Sequence, residues 1–231
     1  MFDAAIEADP DNAQAYAWKA CTLGQAMVRG YVDKPLQEIM PEFSNLMSSA
    51  LSIDPNDFEC HRLQCAVNTM MGDMKAALSH GKKAYDVNPN DPRILQQYGE
   101  VLLKTGKTEE GCDLTLLALE YDPIAQGQTN SDKRKSDGVF GCILDDRPDV
   151  GLDIASGMID RSEKVLIYSA ALAVGSTGSL ESFSWLVDDL RNADFAQIEE
   201  AIEEMGKFDV VVQSKLKEVF LDYILPLKEA A

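Results

Sequence analysis

Apolar residues along this chain recur three and four positions apart in blocks roughly a dozen residues long, which is the spacing of one helix face. In the block 92–106, PRILQQYGEVLLKTG, Leu95, Tyr98, Val101 and Leu102 fall on one side together with the small Gly99. The block 107–121, KTEEGCDLTLLALEY, repeats that spacing. Upstream, the pattern predicts a helix from about Ala13 and another ending near Leu51, separated by VRGYVDKPLQE. Downstream, GVFGCILDD, PDVGLDIASGMID, EKVLIYSAALAV and LESFSWLVDDL read as two hairpins with turns at Arg147-Pro148 and Gly175–Gly178. FAQIEEAIEEMG and FDVVVQSKLKEVFLDYILPL make a final pair. The expectation is an all-α fold built from antiparallel helix pairs.

The blocks are in phase. Pro55, Pro89 and Pro123 are 34 residues apart, and an alanine precedes each by five residues, at Ala50, Ala84 and Ala118. Ala5 and Pro10 repeat the pair near the start. The prolines sit in related strings, DPDN at 9–12, DPND at 54–57, NPND at 88–91 and DP at 122–123. Gly72 and Gly106 are also 34 apart, midway between prolines. Proline cannot continue a helix, and the Asp or Asn beside it caps the next helix start. The glycine supplies the left-handed residue that ends the first helix and lets the chain reverse. Each unit is therefore helix, turn, helix.

These marks resemble the tetratricopeptide repeat, whose pattern is W-x2-L-G-x2-Y, then A-x3-F, then P over 34 residues. The 92–123 unit carries Leu95, Tyr98, Gly99, Leu102, Gly111, Ala118 and Pro123. The 58–89 unit keeps Cys65 as its small residue, then Gly72, Ala77, Ala84 and Pro89, and departs where His61, Gln64 and Asn68 replace larger apolar residues. The resemblance covers residues 2–123 and implies an α-α superhelix, a solenoid of antiparallel helix pairs. It divides the chain into a partial repeat at 1–12, an extended repeat at 13–57, and regular repeats at 58–91 and 92–125. The extended unit arises because Pro10 to Pro55 is 45 residues, 11 more than one period, which predicts longer helices or a longer turn. Divergent helical hairpins and a capping helix follow at 126–231, continuous with the array. The partial first repeat implies that an N-terminal parent domain or a second chain covers the first helix.

Composition narrows the function classes. Net charge is −18, with 10 Lys+Arg against 19 Asp+Glu up to Ala125 and 11 against 20 after it. A uniformly acidic surface opposes phosphate backbones and anionic lipid, so neither nucleic acid nor a membrane is an expected partner. The one basic run, Lys133-Arg134-Lys135, lies between Asp132 and Asp137 and reads as a solvated loop or helix end. No apolar run reaches the roughly 20 residues of a membrane span. Five cysteines without a C-x-x-C pair read as free thiols in a reducing, cytoplasmic setting.

Candidate chemistry is sparse. Gly175-Ser-Thr-Gly-Ser179 lacks the Lys-Ser/Thr ending and preceding strand of a phosphate loop. Asp145, Asp146 and Asp149 lack EF-hand spacing, and Cys60, His61 and Cys65 lack a second cluster for zinc. His61 and His80 are the only histidines available for acid–base work. Glu199, Glu200, Glu203 and Glu204 read as a solvated helix face. No catalytic residue, metal site or cofactor is expected, and the chain is read as a non-enzyme.

The resemblance implies a groove lined by the first helix of each unit, which holds an extended or helical peptide from a protein partner. The groove positions carried over are Gln14 and Ala17, then Glu59, Arg62, Ala66, Thr69 and Met70, then Arg93, Gln96, Glu100 and Lys104. Arg62, Arg93 and Lys104 would form a cationic patch that suits an acidic segment. Arrays that clamp a C-terminal carboxylate use an asparagine where this chain has Ala66, which argues against that ligand. Three readings follow: an adaptor that binds a partner protein, a regulatory segment of a larger signalling protein such as a nucleotidyl cyclase or winged-helix regulator, and an enzyme with its site in 126–231.

Overall fold

The computed structural model describes residues 1–28, 30–123 and 132–229. Among the described residues every regular element is a helix. The backbone forms two compact units, Met1–Tyr98 and Gly99–Ala231. The expected boundary between 125 and 126 falls outside the described residues.

The first unit holds α1 (Phe2–Ala8), α2 (Ala13–Val28), α3 (Leu36–Ile53), α4 (Phe58–Met71), α5 (Met74–Val87) and the first turns of α6 (Pro92–Lys104). Helix α1 packs on α2, α2 on α3 and α4 on α5, while α4 also rests on α2 and α3. The extended spacing resolves mainly into longer helices, with 16 residues in α2 and 18 in α3 against 14 in each of α4 and α5.

Polar residues beside the prolines and after Gly72 set the helix starts. Asn12 Oδ1 accepts from the Ala15 amide at 3.1 Å, Asp57 Oδ1 from Cys60 at 2.7 Å and Asp73 Oδ1 from Ala76 at 3.0 Å. Each such cap contributes about 1 kcal/mol. Gly72, at φ 80°, closes α4 in the left-handed region that its lack of a Cβ permits. The core of this unit sets the small Ala17 and Ala20 of α2 against Phe43, Met47 and Ala50 of α3, with Cys60 and Leu63 of α4 beside them. Gly81 of α5 lies so near Tyr98 of α6 that a Cβ there would stand 2.6 Å from Tyr98 Cδ2.

The second unit continues with the rest of α6, α7 (Thr108–Tyr121), α8 (Lys133–Leu144), α9 (Pro148–Ser156), α10 (Glu163–Thr177), α11 (Ser184–Asn192), α12 (Phe195–Met205) and α13 (Val210–Val219). A π-helical turn, Phe220–Ile224, then leads into α14 (Leu225–Glu229). At its centre lies α10, buried at every position from Val165 to Ala173 and packed on α8, α9, α11, α12 and α13. Gly99 and Gly111 let α6 and α7 touch through their backbones, since a Cβ on Gly111 would sit 2.8 Å from Gly99 O and from Leu103 N.

Two sequence expectations need correction here. Helix α10 runs through Gly175, so the turn begins only at Gly178, at φ 73°. Lys133-Arg134-Lys135 is a helix end, the first turn of α8, but it is not solvated throughout: Lys133 is exposed, whereas Arg134 is only 2% exposed and pairs with Asp122 at 3.0 Å. Taking a guanidinium that far out of water is costly, and a carboxylate beside it offsets the cost.

Candidate functional site

A connected polar cluster of the first unit lies on α2, α4 and the start of α6. Glu59, in the first turn of α4, has a fully buried carboxylate. Arg62, one helical turn on, donates to it from Nε at 3.1 Å and from its terminal nitrogen at 2.5 Å. Arg93 reaches the same carboxylate at 3.4 Å and grips Asp91 with two further bonds of 3.1 and 2.6 Å. Arg62 also reaches Cys21 Sγ on α2 at 3.8 Å.

The electrostatics follow from this packing. Burial opposes the charge on Arg62, but the hydrogen bonds and charge of Glu59 outweigh it and hold the guanidinium above its ordinary pKa. Burial likewise works against the Asp91 carboxylate, yet the bonds from Arg93 leave its pKa below the usual range. The Cys21 thiol is raised, chiefly by burial, and so stays protonated.

The cluster extends to the surface through Trp18, which sequence reasoning did not single out. Its ring is 38% exposed, and the Arg93 guanidinium stands 5.5 Å from the ring centroid. The indole Nε1 donates to Gln14 Oε1 at 3.1 Å, and Gln14 Nε2 donates in turn to Asp57, the cap of α4. The ring is thus held at its N–H edge by Gln14 of the same helix and covered by Arg93 at the start of α6. The signal available in the sequence was its position one turn after Gln14, in a chain with only two tryptophans.

The sequence-derived site residues divide accordingly. Gln14, Glu59, Arg62 and Arg93 share one network. Ala17 does not line the surface; it is fully buried in the core of α2 and α3, because the exposed side of α2 is the one bearing Trp18. Thr69 turns its hydroxyl onto Cys65 O at 2.8 Å, Met70 is 55% exposed, and Gln96 is half-buried. Glu100 and Lys104 belong to the second unit, where they pair at 2.6 Å and Lys104 lies 5.5 Å from the Phe208 ring. The expected cationic patch is therefore corrected. Two guanidiniums meet Glu59 and Asp91, Lys104 meets Glu100, and no bare positive charge is left among the three cations.

The other candidate chemistries resolve into structural contacts. Asp145 pairs with Arg147 at 2.7 Å, and Glu204 pairs with Lys164. Lys215 Nζ lies against Gly175 near the C-terminal end of α10, where the helix presents carbonyls and a cation rather than an anion is at home. Among the described residues no three His, Cys, Asp or Glu converge as a metal site would require. All five cysteines are free, and four of them are buried. Among the described residues no helix is long and apolar enough to cross a membrane.

No family model and no curated protein matches the sequence. Solved structures do match. The PilF protein of Pseudomonas aeruginosa is 15% identical over 94% of this chain and 87% of its own, with a TM-score of 0.60. A tetratricopeptide repeat protein from Parabacteroides merdae is 16% identical over 95% of this chain and 90% of its own, with a TM-score of 0.51. At these identities the likeness is one of fold: the chain has an all-α fold like that of the tetratricopeptide repeat structure it matches.

Proposed function

We propose that the chain is a non-catalytic protein-interaction module, and that the face of its first unit formed by α2, α4 and the start of α6 receives an extended or helical peptide. The observation that carries this reading is Trp18, partly exposed yet held by Gln14 and covered by Arg93. Tryptophan and arginine are the residue types that most often anchor interfaces, and an anchor already fixed in place loses little entropy when it is covered. Met70, exposed near the end of α4, and Thr69 and Gln96 complete the proposed face.

Because Glu59 and Asp91 match the two arginines, the peptide is selected by an apolar or aromatic anchor and hydrogen bonding rather than by acidity. A net charge of −18 adds repulsion against polyanions. Five free thiols suit a reducing compartment such as the cytoplasm.

Selection of displayed peptides on the full chain, followed by fluorescence polarisation, tests the proposal. Selected peptides should bind Trp18→Ala at least about ten-fold more weakly than wild type, with the helical circular dichroism unchanged. Equal affinity of the two proteins for every selected peptide would overturn the assignment.

A further inference from the structure

The two histidines of the chain face each other across the α4–α5 hairpin. His61 Nδ1 lies 2.9 Å from His80 Nδ1, and the ring centroids are 5.2 Å apart. An imidazole nitrogen stands roughly 1.2 Å from its ring centre. The 5.2 Å separation is therefore nearly the sum of one N···N contact and two such radii, so the rings meet head-on, as in a single N–H···N bond. The other nitrogen of His61, Nε2, lies 3.0 Å from Pro55 O. A carbonyl only accepts, so His61 carries its proton on Nε2 and offers a bare Nδ1. His80 must then donate from its own Nδ1. The neutral pair has one arrangement of its protons.

We infer that His61 and His80 form a proton-bridged lock on the α4–α5 hairpin that tolerates one added proton and is broken by a second. The first can enter at His80 Nε2 and leave the bridge intact. The second must enter at His61 Nδ1, and it sets two N–H groups and two cations head to head.

The surroundings work in the same direction. Burial lowers the pKa of His61, with Lys83 adding to the effect and the Pro55 carbonyl, Asp57 and Asp54 opposing it. Burial lowers that of His80 as well, joined by His61 and Lys83. These charges come from α5 and from the turn between α3 and α4. The start of α6 contributes Tyr98, packed on Gly81 beside His80 and 5.7 Å from the Tyr85 ring.

Both folded-state values lie below the ordinary histidine value of about 6.5, so the unfolded chain binds more protons just below that pH. Stability from the lock is present above about pH 6.5 and is lost as pH falls. His61 shares the start of α4 with Glu59 and Arg62, so loosening the hairpin on acidification also disturbs the helix that carries their ion pair. Loss of peptide binding in acid would rest on the function proposed above, whereas the lock itself does not.

Two measurements on the full chain test it. Long-range proton–nitrogen correlation of the imidazoles should show His61 as the Nε2–H tautomer and His80 as the Nδ1–H tautomer at neutral pH, with both midpoints below about 6.5. A second protonation of the pair at or above about pH 6.5, or the opposite tautomer for His61, overturns the lock whether or not any variant folds. His80→Asn keeps a donor at the same position and cannot titrate. In urea unfolding below about pH 6.5, the wild-type unfolding constant should rise more steeply than that of His80→Asn, by up to about ten-fold per pH unit. Parallel profiles would also overturn it.

Discussion

Replacing Glu59 by alanine removes the carboxylate on which two arginines converge, and its cost can be worked from their exposures. Arg62 is 13% exposed and would keep only Cys21 Sγ at 3.8 Å. Breaking one side of a buried ion pair costs about 3–5 kcal/mol, because the remaining charge stays uncompensated. Arg93 is 36% exposed and retains Asp91, so water screens its loss to about 0–1 kcal/mol. Partial escape of Arg62 towards solvent offsets some of the total, leaving a destabilisation of about 3 kcal/mol. In a chain of this size that corresponds to a fall in Tm of about 6–12 °C. Urea unfolding followed by circular dichroism and tryptophan fluorescence measures it. Glu59→Gln should lose less, since it keeps the shape and one acceptor. The double variant Glu59→Ala, Arg62→Met should be more stable than Glu59→Ala alone, because removing both partners leaves no stranded charge. A cost below about 0.5 kcal/mol for Glu59→Ala, or a double variant no better than the single, would refute the view that Glu59 holds these arginines.

Gly111→Ala and Gly24→Ala should move stability in opposite directions. The first places a Cβ 2.8 Å from two backbone atoms, Gly99 O and Leu103 N, and should cost about 1–3 kcal/mol by thermal melting. The second meets nothing within 4 Å in the middle of α2 and should gain up to about 1 kcal/mol; the same sign for both would contradict the packing described. Asp91 has a folded-state pKa below its ordinary value, so its contribution is present above about pH 4 and disappears as pH falls through the folded value. Asp91→Asn should therefore flatten acid unfolding below about pH 4, and an unchanged acid limb would show that Arg93 does not hold the carboxylate.

The regular repeats were legible because their marks are local. A proline, a capping Asp and a glycine each act within one turn of the chain, and Asp57, Gly72 and Gly106 stand where that logic puts them. The pairing of charges was harder to read because it runs between repeats. Glu59 and Arg93 are 34 residues apart and so occupy equivalent positions in successive units. Stacked repeats bring such positions together, so the period that revealed the fold also held the clue that Arg93 has a carboxylate beside it. Reading Arg62, Arg93 and Lys104 by sign alone missed it. The burial of Arg134 had no comparable mark, since the 12 residues between it and its partner Asp122 match no repeated interval. The histidine pair was equally hidden: 19 residues separate the rings, and only the hairpin geometry brings them to face each other.

Helix α10 sets a condition on how the second unit is made. From Val165 to Gly178 it carries no charge, and its burial depends on helices from both sides of the sequence, α8 and α9 before it and α11, α12 and α13 after it. A ribosome releases the chain in order, so this apolar rod emerges while the helices that finish covering it are still unmade. The second unit therefore cannot mature hairpin by hairpin. Until α12 and α13 arrive, α10 is a surface that chaperones recognise and that aggregation exploits.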